Sequence, residues 1–553
     1  MKKTILLGML LFVFSNIQAQ FDSAVEALSS SIQNVQASKK EINQSAESTQ
    51  PGVILVSIEE VSSKGKTTTK TYEFNAADID HHTVKTITKK DVITVQLLTN
   101  QKQKLIKQTV NGEKTSYINK FVIYATDIDN GRDIVTKIKA TIAPAKKLTE
   151  ERLSLSDYTD RLNWLTENIG TVNGSKKEFV QSLEAQADYK GSVTLNRTIN
   201  SGKSSKAYRY DFNLSTINPN NILFKVEGAF FNLSIETKRR NKTIKVSQDG
   251  IQKSYTNKIV LTCKNIEQAR DIQKVLKEII PLAEKEFKNS IKPISSLSQG
   301  IEKLNELVGT IESNETTITQ RFEGNSIQTF DQENVTGKKT KHDIYNYNLI
   351  DLNKNKVNYT SKGKFIIITL STKAKNKFIK YTSNDELKSY TDKFKVYFSK
   401  VEDAIIGQKI LEKIIELSAT ANENSFTKVS KEAMSKELEE IIGEVVVGDK
   451  TYQQELSIKE SGKVLEYKNT IVTKKSSKEK LYEVNLSDLK DKSVKMKTSG
   501  KNVTVVVKTI HFEKIIKYYE NGTTKSYQNT IEIHATDIEN ARQIANLLKA
   551  VIE

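Results

Sequence analysis

Five histidines, one cysteine and scattered aspartates are the residues from which this 553-residue chain could assemble a catalytic site. Cys263 is the only cysteine, so an internal disulfide is excluded. It lies in the apolar stretch KIVLTCKNI, where a thiol serves as a small buried hydrophobe. None of His81, His82, His342, His511 and His534 stands at zinc-site spacing from cysteine or carboxylate. His81 and His82 are adjacent and would face opposite ways on a strand, so a surface turn is expected. Asp78-Ile79-Asp80 offers two nearby carboxylates. Its counterparts are Thr216-Ile217-Asn218, Asp351-Leu352-Asn353 and Asp488-Leu489-Lys490, which is ordinary turn chemistry. No GxSxG elbow, HExxH, Walker loop or dinucleotide fingerprint occurs. No catalytic, cofactor-binding or metal-binding residue is assigned, and no cofactor is implied.

Charge is the remaining chemical lead. Lysine and arginine number 85 against 67 acidic residues, a net charge of +18. The densest runs are TKAKNKFIKY and IETKRRNKTIKVS, the latter holding Lys238, Arg239, Arg240, Lys242 and Lys245. With Arg132, Arg270 and Arg542, these are the candidate anion-binding residues. Such a surface attracts acidic glycans or anionic headgroups. Each of the three arginines also follows an acid by three positions, the spacing of a local ion pair on a helix. Ile405 replaces the arginine in a fourth equivalent stretch. Specific nucleic-acid recognition is not expected, because no reading helix or paired aromatic platform is evident.

These stretches are equivalent because the chain repeats. Tyr117, Tyr255, Tyr390 and Tyr527 are separated by 138, 135 and 137 residues, and Tyr72, Tyr210, Tyr345 and Tyr482 each lie 45 residues before one of them. The fixed offset predicts four domains in one register, with every tyrosine ring packed on the sheet core. The boundaries expected are 20–148, 149–287, 288–424 and 425–553.

The fourth repeat shows the element order. SKEAMSKELEEIIGEVV is an amphipathic helix, with Met434, Leu438, Ile441 and Ile442 on one side. About seven antiparallel strands follow. Hairpins are expected at Ser499-Gly500 and at Asn521-Gly522, the second pairing KIIKYYE with NTIEIHAT. Asn111-Gly112, Asp249-Gly250 and Asn384-Asp385 occupy the latter turn in the other repeats. Ile538, Ala541, Ile544, Ala545 and Leu548 then recur at helical spacing. Thr536 with Glu539 reads as a capping box, as do Thr126 with Asp129 and Ser399 with Glu402, while Asn265 caps the second repeat. Pro144 and Pro281 are placed just beyond closing helices, and SAESTQPG (45–52) as a flexible loop. The fold class is α+β: four tandem repeats, each a leading helix, a bent antiparallel sheet or open barrel, and a C-terminal amphipathic helix.

That element order, ending in helices such as DIENARQIANLLKAV, resembles the pleckstrin-homology-like superfold over residues 50–142, 189–281, 323–417 and 452–552. The resemblance implies a partly open barrel plugged by the last helix. In some such domains, basic residues of the first hairpin loop bind anionic headgroups. The matching lysines would be Lys474, Lys475 and Lys478, and in the first repeat Lys64, Lys66 and Lys70. Fold alone does not specify the ligand.

The start of the chain, MKKTILLGMLLFVFSNIQAQ, has two lysines, an apolar run from Ile5 to Phe14 and small residues near Ala19. This is the layout of an export signal, residues 1–19. The run is too short to span a bilayer, and no transmembrane segment is expected in the mature chain. The expectation is an exported protein, periplasmic or extracellular, that acts as a non-enzymatic binding or scaffold protein of the cell envelope. An envelope protein or acidic glycan would be its partner. The alternatives are an enzyme with an unrecognised site on an envelope substrate, and an unspecific polyanion binder. Oligomeric state is left open.

Overall fold

The computed structural model describes the backbone of all residues except 1, 38, 175, 314, 424–429, 460 and 461, and side chains outside 2–15 and 421–423 as well. Four α+β repeats follow one another. In the first, α1 (Lys2–Ser31) leads into β1 (Val35–Ala37), β2 (Lys40–Gln50), β3 (Val53–Ser62), β4 (Thr67–Asn75), β5 (Lys85–Lys89), β6 (Val92–Leu98), β7 (Ile106–Val110), β8 (Lys114–Ile118) and β9 (Lys120–Ala125), closed by α2 (Ile128–Glu151). The strands form an antiparallel six-stranded sheet, β1-β2-β3-β4-β7-β8, and a three-stranded sheet, β5-β6-β9. The other repeats reproduce both sheets in the same order. Their leading helices are Tyr158–Asn168, Leu297–Val308 and Lys431–Ile441, and their closing helices Ile266–Ser290, Val401–Glu423 and Ile538–Ile552.

Side-chain spacing explains these elements. Phe21, Val25, Leu28 and Ile32 lie one turn apart along and just past α1, and all are buried with the apolar side of α2. In the last helix Ile538, Ala541, Ile544, Ala545, Leu548 and Val551 are buried, each large aliphatic contributing about 1.5–3 kcal/mol. The helix caps lie one residue later than the capping-box pattern places them. Asp127 accepts from the Asn130 N–H at 2.7 Å, and Asp537 from that of Asn540 at 2.8 Å. Asn265 caps the second repeat as expected, accepting from the Gln268 N–H.

Each repeat has nine strands, the about seven expected together with short ones such as Val445–Val447 and Thr523–Thr524 at the sheet edges. Three details differ from the sequence expectation. Asn521-Gly522 does turn the chain, both residues having positive φ, but Thr530–Ala535 pairs with Asn502–Lys508 in the other sheet, not with the preceding strand. Pro144 and Pro281 lie inside helices. A helical proline costs about 3 kcal/mol, and burial of Ala145 and Leu148 beyond Pro144, and of Ala283 and Phe287 beyond Pro281, offsets it. Residues 45–50 belong to β2, paired along β3, and only Pro51-Gly52 turns.

A glutamine, buried in the last three repeats and half-buried in the first, ties the two sheets together in each repeat. Gln320 Nε2 donates to the Tyr397 carbonyl at 3.0 Å, and its Oε1 accepts from the Tyr397 N–H at 2.8 Å. Gln44 grips Tyr124, Gln181 grips Thr262 and Gln454 grips His534 in the same way. The amide thereby satisfies one backbone donor and one acceptor where the sheets diverge.

The chain falls into two compact units. One holds the first two repeats (Met1–Ile251 with Thr256–Lys288), the other the last two (Gln252–Tyr255 with Asn289–Glu553). Among the described residues no helix is long and apolar enough to cross a membrane.

Candidate functional site

The sequence candidates do not converge on one site. Cys263 is buried, and burial pushes its thiol up to about 12, so at neutral pH it is an inert thiol. His81 and His82 are exposed on a turn. His342 Nε2 lies 2.8 Å from Asp331 Oδ1. Among the described residues no three His, Cys, Asp or Glu side chains converge as metal ligands would.

The basic run forms a recurring tight turn. Lys238–Arg240 is a single 3₁₀ turn in which Arg239 and Arg240 have φ of 53° and 56°. Thr237, buried beneath it, donates to the Asn241 carbonyl at 2.6 Å. Thr99, Thr372 and Thr509 support the same turn elsewhere. Arg239, Arg240 and Lys242 are exposed and Lys245 is half-buried on its strand. Acids offset part of the charge: Lys238 pairs with Glu284 at 2.6 Å, and Arg240 lies 3.7 Å from Glu236. Lys474 and Lys475 sit in the turn between Val464–Val472 and Ser477–Asn485, while Lys478 pairs with Glu520 and Lys70 with Glu60. Lys64 and Lys66 occupy the β3–β4 turn.

The three arginines part company. Arg132 is exposed and bonds its neighbour Asp129 at 3.0 Å. Arg270 and Arg542 are turned inward across the junction with the preceding repeat. Arg270 binds Asp78 at 2.5 Å, and Arg542 binds Asp351 at 2.5 Å. Beside them Asn75 Nδ2 donates to Glu267 at 3.3 Å, and Asn348 Nδ2 to Glu539 at 3.1 Å. Arg152 adds bonds to Glu267 and Asp271 in the first unit. Burial pushes the Asp78 and Asp351 carboxyls up, although each arginine pulls back.

The tyrosines complete these junctions. Tyr117 and Leu105 of the first repeat are buried in the core of the second, the Tyr117 ring 5.3 Å from that of Phe231. Tyr390 and Phe378 of the third are buried in the core of the fourth, where the Tyr390 N–H donates to the Gly500 carbonyl. Tyr255 is buried among Ile301, Leu304 and Phe322 in the second unit. Tyr527 departs from the expected pattern and is 50% exposed. In Tyr117 and Tyr390 the ring packs on a neighbouring repeat, not on its own sheet. The signal that sequence reading missed is a paired loss: the second repeat has Thr216 in place of the aspartate and the third has Ile405 in place of the arginine.

Two open clefts recur at equivalent places beside leading helices. One, of about 630 Å³, is lined by Asp22, Glu26 and Glu47, the other, of about 640 Å³, by Glu302, Asn305 and Glu306. Comparison with family models, curated proteins and solved structures finds no match to this chain.

Proposed function

We propose that this is a non-enzymatic, exported multi-domain scaffold or binding protein of the cell envelope, its repeats being variants of the pleckstrin-homology-like fold. One observation carries the reading. The recurring residues with chemical capacity, Asn75, Asp78 and Arg270 and their counterparts Asn348, Asp351 and Arg542, are spent on joining one domain to the next. An envelope protein or acidic glycan is the partner class. Fractionation tests the reading: the protein should be recovered outside the cytoplasm with a new N-terminus near Gln20, and crosslinking in intact envelopes should capture a defined partner. An uncleaved cytoplasmic protein sinks the envelope assignment. Hydrolysis of an envelope polymer by the purified chain sinks the non-enzymatic one.

The exposed turn at Arg239, Arg240 and Lys242 favours a second reading, an unspecific polyanion binder. Retention on an acidic polysaccharide should then weaken steeply with salt. Retention that ignores salt removes this reading.

A further inference from the structure

We propose that the uncovered face of the last repeat docks onto the uncovered face of the first repeat of a second copy, head to tail, by the joint already used inside each unit. That joint has a tail side and a head side. In the first unit the tail supplies Asn75, Asp78, Leu105 and Tyr117, and the head supplies Ile266, Glu267 and Arg270. In the second unit Asn348, Asp351, Phe378 and Tyr390 meet Ile538, Glu539 and Arg542.

Both sides recur in exposed form, the tail on the fourth repeat and the head on the first. The last repeat carries the tail set as Asn485, Asp488, Ile515 and Tyr527. Ile515 is 37% and Tyr527 50% exposed, against 9% and 5% for Phe378 and Tyr390. The first repeat carries the head set as Ile128, Asp129 and Arg132. Ile128 is 50% exposed, against 8% and 6% for Ile266 and Ile538. Charges match as they do inside the units, Asp488 facing the role of Arg132 and Asn485 that of Asp129.

Descent from a common repeat would leave these residues behind without a partner. It does not explain the strained turn beside them. Where the other repeats place Asn100 and Lys102, Lys238 and Arg240, or Lys373 and Lys375, the last places Ile510 and Phe512, both exposed. The tail face has therefore become more apolar where it lies open, as a docking surface would. A head-to-tail contact is heterologous, so it propagates until it closes into a ring or runs on as a filament.

Sedimentation of the four-repeat protein at rising concentration tests this. Mass should rise beyond the monomer, and less so in high salt. Asp488→Ala with Tyr527→Ser disables the tail, and Arg132→Asp disables the head. Each variant alone should remain monomeric, with its thermal unfolding unchanged because the altered positions are exposed or half-exposed. Mixed in equal amounts, they retain one good tail and one good head, and should form a one-to-one dimer and nothing larger. A wild-type chain that stays monomeric at its highest soluble concentration overturns the proposal. So does self-association that either variant leaves intact, or a mixture that forms no dimer.

Discussion

Arg270 reaches back across 192 residues of chain to hold Asp78 at 2.5 Å, both side chains nearly excluded from water. Coulomb attraction inside a protein is strong, but so is the cost of stripping both ions of water, and the two nearly cancel. Such a pair contributes mainly to specificity. It ties one repeat to the next, the guanidinium bonding Asp78 and lying 3.6 Å from Glu267. Arg542 and Asp351 repeat the arrangement in the second unit.

Removing one partner is a different matter from removing both. Arg270→Met should lower the stability of the first unit by about 3–5 kcal/mol, since Asp78 is left buried without its partner. Adding Asp78→Leu should restore most of that loss. Denaturant melts of the single and double variants check the claim. A double variant as unstable as the single one would mean that the pair itself is strongly stabilising.

Much of the repeat could be read from spacing because the relevant contacts are local. Asn521-Gly522 and its counterparts adopt the left-handed backbone their sequence calls for, and the buried face of the last helix is the one its period marks. What escaped is long-range. An alternating strand looks the same whether Tyr390 fills its own sheet or its neighbour's core. Gln320 reads as an outward polar residue in a strand, yet it is buried against a strand 77 residues away. Arg270 has an acid three positions before it, which conceals the more buried partner in another repeat.

The glutamine link gives a second prediction. Gln320→Leu keeps bulk but strands the N–H and C=O of Tyr397, each costing about 1–3 kcal/mol when unpaired away from water. The second unit should lose about 2–4 kcal/mol, and the Tyr397 amide should lose its protection from hydrogen exchange. Unaltered protection at Tyr397 would show that the sheets hold together without the amide.

The tyrosines supply a matched pair of substitutions. Tyr390→Ala empties a ring-sized space in the core of the fourth repeat and should cost about 2–4 kcal/mol. Tyr527→Ala, at the equivalent but open position, should change stability by less than about 0.5 kcal/mol. Denaturant melts of both full-length variants decide it, and equal losses would place Tyr527 in a core.

His534 provides the pH test. Its ring stacks on Tyr452 at 3.7 Å, and its Nδ1 lies 3.1 Å from Asn502 Oδ1. Burial disfavours the imidazolium and lowers its pKa to about 4, although Glu532 pulls the other way. The unfolded chain binds a proton near pH 6.5, while the folded chain resists until about pH 4. The stability contributed by neutral His534 is therefore complete above about pH 6.5 and declines as pH falls toward 4. The loss should reach about 2–3 kcal/mol, less than the full shift implies because the ring retains some contact with water. Ring resonances of the five histidines followed by NMR give a direct measurement. One should stay neutral down to about pH 4, and it should vanish in His534→Gln, whose stability should vary less over the same range. A His534 signal that titrates near 6.5 would show that the ring is hydrated and that this acid sensitivity lies elsewhere.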